Sequence, residues 1–414
     1  AAQRGLPLDG VTIVELGGFY AAPFGLTVLT DLGARVIKVE PPEGDTIRFQ
    51  LPFPELGGVK VTQGKESLAV NAGTPEGREI IQRLIARADL VLHSFRSGVA
   101  KRLGVDEATV RGANPNIIYH EAPGFGVAGP YGHRPAYAPT IGAGSGMARR
   151  NVKRAVPEGP GLSLDEVKDN AIRMGAASMT VGHADGFSAL GVACAHMLGL
   201  YARKRGLGAQ RVMTTMLYTM AQILSEDMVD YAGRPEAPTA DAGLHGFGPL
   251  YRLYEAAEGW VFLAAPSERE WAALKRAMAG LDDPRFGSAA GRAEHADALA
   301  ETLAGAFMQA PAKEWERRLT EVDVACVEVD PGPSQNTLMT AGGLCDQLEM
   351  TTTVEHPLFG EHSRLKAVMN FSRSATRAGR GVLVGEQTEA VLGELGYSAE
   401  QINALVESGV ARKG

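Results

Sequence analysis

Asp185 stands between a histidine and a glycine in VGHADGFSALG, residues 181–191, just ahead of an apolar run that reaches Tyr201. An aspartate so placed has two physical uses. In front of a helix reading FSALGVACAHMLGLYARK it would cap the first turn, accepting bonds from amides that have no partner within the helix. A helix N-terminus also favours the ionised carboxylate, and an ionised aspartate is a nucleophile toward activated carbonyl groups. Local sequence favours the cap, and the two uses are compatible.

Other chemical signals are weaker. GFGVAG, residues 124–129, matches G-x-G-x-x-G in form, but PYGHRP follows it and cannot open the helix that a dinucleotide pyrophosphate needs. Gly17-Gly18 after VTIVEL, with Glu40 ending ARVIKVE, imitates the order of a dinucleotide-binding unit with the wrong glycine spacing. A nicotinamide or flavin oxidoreductase is therefore the reading in second place. Nine histidines occur without H-E-x-x-H or a close pair flanking a carboxylate, so no metal site is expected. The absence of G-x-S-x-G removes the commonest cue for a serine hydrolase.

The elements that position these residues belong to a chain of 414 residues, long enough for two to three domains. A formal net charge of −7 argues against a nucleic-acid partner, which selects a basic surface. The three cysteines, Cys194, Cys326 and Cys345, form no C-x-x-C, so neither a disulfide frame nor a zinc site is indicated and a cytoplasmic location fits. No window reaches the roughly 18 apolar residues that span a bilayer, so no membrane association is expected. The chain opens on Ala-Ala instead of Met, as a processed or excised chain would.

VTIVEL, ARVIKVE, SLAV, DLVLHSF and NIIYHE read as strands, separated by helical runs at APFGLTVLTDLG and TPEGREIIQRLIARA, the latter with Thr74 as N-cap and Pro75 in its first turn. Apolar strands alternating with helices imply an α/β fold with a mostly parallel sheet covered on both faces. After about residue 231 the pattern changes. LYRLYEAAEGWVFLAA reads as a hairpin turning at Glu258-Gly259, followed by three helical patterns and the strand ACVEVD. The expected organisation is a large domain over 1–230, a smaller α+β domain over 231–330, and a C-terminal part, 331–414, returning to the large domain.

Several stretches together resemble class III CoA-transferases, the family of formyl-CoA transferase and carnitine CoA-transferase, with 2-methylacyl-CoA racemases as a related branch. They are LPLDGVTIVELGGFYAAPFGLTVLTDLGARVIKVEPPEGDTIR, TPEGREIIQRLIARADLVLHSFRSGVAKRLG, NPNIIYHEAPGFGVAGPY, YRLYEAAEGWVFLAA and GEQTEAVLGELGYSAEQI, in family order over nearly the whole chain. The resemblance implies a split Rossmann-like large domain with a smaller inserted domain, and an interlocked homodimer. It also implies an enzyme that moves CoA between an acyl-CoA and a free carboxylic acid, with CoA as substrate and no resident cofactor.

Carried over residue by residue, the resemblance makes Asp185 the catalytic nucleophile. It puts Val70, Ser94, Phe95 and Arg102 at the adenosine end of CoA, and Phe19 and Tyr20 near the pantetheine or acyl end. Arg96 or Arg102 is in place to reach CoA phosphates. Gly246 and Gly248 in DAGLHGFG resemble the family's loop over the aspartate. Tyr137 occupies the position of the racemases' second base, a histidine, and with an ordinary pKa near roughly 10 it disfavours racemisation. A racemase or a CoA-dependent lyase of the same fold remains the alternative. Ser94 replaces the family's usual Asn, Gly73 stands where Lys is common, and residues 147–179 read as a longer loop with a short helix beside the acyl pocket.

Overall fold

Five apolar runs become parallel strands: β1 (Thr12–Glu15), β2 (Arg35–Glu40), β3 (Glu66–Val70), β4 (Leu90–His93) and β5 (Ile118–Glu121). Their connecting segments include the helices Ala21–Asp31 and Pro75–Ile85, the second capped by Thr74, whose side chain accepts from the Gly77 amide. A sixth parallel strand, β6 (Arg211–Met213), follows the long helix Val181–Ala202. These elements come from a computed structural model that describes residues 5–50, 53, 55–179, 181–332 and 338–414.

The chain divides into two units: one of Ala1–Ser145, Ser178–Val229 and Glu349–Gly414, the other of Gly146–Ala177 and Asp230–Leu348. Residues 146–177, read from sequence as part of the N-terminal domain, pack within the second unit. Val152, Ala155 and Val156 form a small core there with Met174, Ala177 and Leu244. The expected short helix is a 15-residue one, Leu164–Ser178, with no buried residue.

In the second unit, β7 (Gly246–Gly248), β8 (Tyr251–Glu255), β9 (Trp260–Ala264) and β10 (Ala325–Glu328) form an antiparallel sheet in the order β10-β9-β8-β7. The hairpin turn falls where the sequence puts it, and Gly259 takes the positive φ of 78° that the turn requires. Helices Glu268–Ala277, Ala296–Phe307 and Ala312–Thr320 bury Trp271, Phe307 and Trp315 against this sheet.

The C-terminal return of the first unit carries a hairpin, β11 (Thr351–His356) and β12 (Gly360–Leu365), then helices Thr388–Glu394 and Ala399–Glu407 and a last strand, β13 (Ala411–Arg412). The main sheet runs β13-β3-β2-β1-β4-β5-β6, parallel except for β13. Alternate residues feed two cores. Val14, Ile37, Leu68 and Val91 meet the helices Pro75–Ile85, Thr388–Glu394 and Ala399–Glu407 on one face. Ile13, Val36, Leu90 and Ile118 meet the helices Ala21–Asp31 and Val181–Ala202 on the other.

Two histidines are sealed where the long helix crosses the sheet. His120 Nδ1 lies 3.4 Å from His196 Nε2, and His120 Nε2 is 2.9 Å from the Thr214 hydroxyl. Burial pushes His196 down to about 4 and His120 well below its ordinary range. The unfolded chain takes protons on these rings near about pH 6.5 while the folded chain refuses them. Stability is therefore expected to fall as pH drops from about 6.5 toward 4, with a smaller fall in His196→Leu. Thermal melts across that range check this, and equal slopes for the two proteins would contradict it.

Candidate active site

The direction of chain progression reverses at β1, whose neighbours are β2 and β4. In open α/β sheets such a switch point leaves a crevice beyond the carboxyl ends of the strands. Two cavities open there. One, of about 440 Å³, is largely apolar and is lined by segments following β1 to β4, among them Leu16, Val70, Ala72, Ile81, Phe95 and Val105. The other, of about 340 Å³, holds Phe19, Tyr20, Arg96, Arg134, Tyr137 and Asp185. Gly18, Asp45 and Thr46 line both.

Asp185 does not cap its helix. The helix begins at Val181, so Asp185 sits in the second turn with only 6% of its surface exposed. Gly182 and Gly186 are poor helix formers, but Ala184, Ala189 and Val192 are buried on this helix, and packing outweighs propensity. A close crossing with the helix Ala21–Asp31 fixes its position: a Cβ on Gly25 would lie 2.5 Å from the Ala189 carbonyl oxygen. The Ser188 hydroxyl, 2.9 Å from that of Thr219, ties it to the helix Met216–Ile223.

The direction of the shift expected from a cap is also corrected. Burial raises the Asp185 carboxyl from its ordinary value near 3.8 to about 6, and the Lys60 ammonium pulls it back only in part. Lys60 is held over the Phe24 ring, 4.0 Å from its centre, and 5.5 Å from that of Tyr20. Among the described residues the Asp185 carboxylate has no hydrogen-bond partner. A nearly buried carboxylate without donors is more basic and more nucleophilic than one in water.

The turn facing Asp185 is clamped from below. Phe19 has φ of 68°, a conformation that a bulky residue adopts only under constraint. Its backbone N–H donates to both Asp45 oxygens at 3.1 Å, and the Gly18 N–H donates to Ser94 Oγ at 3.3 Å. Asp45 is held in turn by Lys38 Nζ at 2.8 Å, which also reaches Glu15 at 2.9 Å and donates to the Gly17 carbonyl at 3.0 Å. Lys65 pairs with the other Glu15 oxygen and donates to the Pro23 carbonyl at 2.7 Å. Burial opposes the charge on Lys38, yet Glu15, Asp45 and Glu40 outweigh it and hold the ammonium above its ordinary range. None of Lys38, Lys65, Glu15 or Asp45 was singled out by the sequence. The available signal was Glu15 and Lys38 inside strands that a doubly covered parallel sheet must bury, which forces them to pair.

The remaining site residues divide between the two cavities except for Arg102, Gly246 and Gly248. Val70 and Phe95 line the apolar one. Ser94 lines the cavity of Asp185, where it braces the turn at Gly18. Arg102 is exposed and lines neither, although its neighbour Leu103 lines the apolar cavity. Tyr137 precedes the helix Ala138–Gly144 and meets the Phe19 ring edge-on, with centres 5.2 Å apart. Gly246 and Gly248 lie in β7, the edge strand of the second unit, with a register irregularity between them. GFGVAG opens no helix; its residues form turns after β5. Arg134, which the sequence reading passed over, lies with its guanidinium 3.9 Å from the centre of the Tyr131 ring. Among the described residues neither Arg96 nor Arg134 forms an ion pair, and no group of three or more His, Cys, Asp or Glu is suited to a metal ion.

Comparison with known proteins decides the family, because the profile of CoA-transferase family III matches residues 8–382. The chain belongs to CoA-transferase family III. Similar proteins include the acetyl-CoA:oxalate CoA-transferase of Acetobacter aceti, 31% identical, the alignment covering 78% of this chain and 80% of that one. The succinyl-CoA:mesaconate CoA-transferase of Haloarcula marismortui is 29% identical over 80% of this chain and 81% of its own. The formyl-CoA:oxalate CoA-transferase of Streptomyces coelicolor is 26% identical over 97% and 98%. A CaiB/BaiF family protein from Brucella suis shares the fold, with a TM-score of 0.75 and 23% identity, covering 95% of this chain and 100% of that one. This family III CoA-transferase has, among its described residues, no helix long and apolar enough to cross a membrane.

Proposed function

We propose that the enzyme moves CoA from an acyl-CoA thioester to a free carboxylic acid through a covalent intermediate on Asp185. The observation that carries this reading is the nearly buried Asp185 carboxylate, without a hydrogen-bond partner among the described residues, in a cavity that shares Gly18, Asp45 and Thr46 with an apolar slot at the sheet's switch point. The adenosine of CoA occupies the apolar slot against Phe95 and Val70. The pantetheine arm passes Gly18, Asp45 and Thr46, and Arg96 meets a phosphate.

An Asp185 oxygen attacks the thioester carbonyl carbon, the C–S bond breaks, and CoA leaves as a thiolate from a mixed anhydride. The thiolate attacks the aspartyl carbonyl of the anhydride, releasing the first acid as its carboxylate and leaving CoA as a thioester on Asp185. The acceptor carboxylate then attacks that aspartyl thioester, expels the thiolate and forms a second anhydride. Attack by the thiolate on the acceptor's carbonyl yields the new acyl-CoA and frees Asp185. No electron or net proton is exchanged, and the thioester energy is conserved as long as water is kept out. Tyr137 where a racemase carries its second base supports transfer over racemisation.

The acid is a short dicarboxylate. The similar enzymes named for oxalate and mesaconate support this, as does Arg134, a guanidinium without an ion pair among the described residues and suited to a second carboxylate. Exposed apolar side chains on and after the helix Val181–Ala202, including Leu198, Tyr201, Leu207 and Tyr218, support a homodimer in which a second copy covers them. Light scattering is expected to give about twice the chain mass of 43.7 kDa.

Mass-spectrometric scoring of acyl-CoA exchange against a panel of mono- and dicarboxylic acids tests the reaction, and the absence of exchange with every acid would overturn it. Because Asp185 must be ionised to attack, kcat/KM is expected to fall tenfold per pH unit below about 6, the value to which burial raises it. A rate profile flat from pH 7 to 4.5 would contradict that assignment.

A further inference from the structure

His93, the last residue of β4, is only 2% exposed and lies directly behind Phe95. The two rings are stacked, with centres 5.2 Å apart and planes at 16°. The Phe95 backbone N–H donates to His93 Nδ1 at 3.3 Å. On the other side of the ring, Nε2 is 2.8 Å from the Tyr119 hydroxyl, which itself donates to the Val105 carbonyl at 3.0 Å. Phe95 and Val105 are both walls of the apolar cavity.

These contacts fix the protonation of the ring. Nδ1 accepts from the Phe95 amide, so it carries no proton. The Tyr119 proton is committed to Val105, so the phenol oxygen accepts and Nε2 carries the hydrogen. Only the neutral Nε2–H form satisfies all three bonds. Burial, helped by the Arg211 charge, lowers His93 to about 4 and keeps that form in place at neutral pH, with Glu121 3.8 Å away.

We propose that His93 is a positioning residue for CoA, setting the height and tilt of the Phe95 ring and, through Tyr119, the distance of Val105 across the slot. This rests on the reading of the apolar cavity as the adenosine site. Without His93 the Phe95 amide loses its acceptor, the ring loses its backing, and the link to Val105 is broken. The His93 ring makes none of these bonds to a residue lining the catalytic cavity; Ala122, which does line it, bonds only the His93 backbone carbonyl at 2.8 Å, a contact that a side-chain substitution leaves in place.

His93→Phe, which keeps an aromatic ring but neither hydrogen bond, tests this by calorimetric titration with CoA and with 3′,5′-ADP. Loss of the acceptor that fixes the half-buried Phe95 amide, together with the ring behind it, is expected to weaken both about 10- to 100-fold. KM for acyl-CoA should rise by the same factor, with kcat at saturation changed by less than about twofold. Tyr119→Phe, which removes only the outer end of the relay, should show the same split at smaller size and serves if His93→Phe does not fold. Phe95→Ala is titrated alongside. If it leaves 3′,5′-ADP binding unchanged, the adenosine reading of the cavity fails. If Phe95→Ala weakens binding but neither relay variant does, or if kcat falls as much as KM rises, the role proposed for His93 is overturned.

Discussion

Asp185→Asn is expected to lower kcat by at least roughly 10⁴-fold, the scale on which removal of an attacking nucleophile is felt. Asparagine matches the carboxylate in shape, so the cavity with Arg134, Tyr137 and Phe19 keeps its form and CoA still binds. It has no anionic oxygen to attack the thioester. The substitution is also expected to raise stability at neutral pH. Burial lifts the native carboxyl to about 6 from 3.8. Above pH 6 the folded chain therefore carries a charge that the unfolded chain solvates better, a difference of roughly 1–3 kcal/mol. That penalty begins to shrink as pH falls below about 6, where the native carboxyl protonates, and is lost only near 3.8, where the unfolded chain protonates too, so the gain of the variant should shrink in acid. A dead enzyme with a higher Tm at pH 7.5, and a gain in Tm cut to about half at pH 5, is the expected pair of results. An inactive variant that melts lower at both pH values would point instead to a structural role.

Lys38→Met is expected to be the most damaging substitution for folding. Lys38 has no exposed surface and bridges Glu15, Asp45 and the Gly17 carbonyl. Removing one partner of a buried ionic cluster costs about 3–5 kcal/mol, because the remaining carboxylates keep their desolvation without compensation. Here Asp45 is left holding Phe19 in its positive φ without a cation of its own. The midpoint of urea unfolding reads the loss. Arg83→Met, which breaks the exposed pair with Glu79, is the comparison and should shift the midpoint little. Equal shifts for the two variants would show that the cluster does not carry the turn.

The sheet was legible from sequence because its strands are short β-branched runs between helices with ordinary end signals, such as Thr74 and Pro75. The family signature pointed to Asp185, and both cavities contain residues named from it. What local pattern could not show depends on distant packing. The helix around Asp185 starts at Val181, six residues before the Phe187 start read from sequence, and its packing is set by Ala189 lying against Gly25, far off in the chain. That same burial reverses the carboxyl's shift from the one a helix end would give. Residues 146–177 join the second unit through contacts of Val152 and Val156 with Leu244, which no periodicity reveals. Lys38 in RVIKVE is a buried cation because helix Ala21–Asp31 covers that face, and its partners Glu15 and Asp45 come from other segments, which local pattern does not show.

Transfer through Asp185 requires that CoA become attached to its carboxyl before the acceptor acid arrives. Incubating the enzyme with acyl-CoA in the absence of acceptor acid, quenching with hydroxylamine and digesting should yield a hydroxamate on the peptide containing VGHADGFSALG, at Asp185, and none in Asp185→Asn. Unquenched enzyme should show the mass of bound CoA on the same peptide. An enzyme that exchanges CoA at full rate while Asp185 stays unmodified, or that carries the adduct on another residue, would contradict the account.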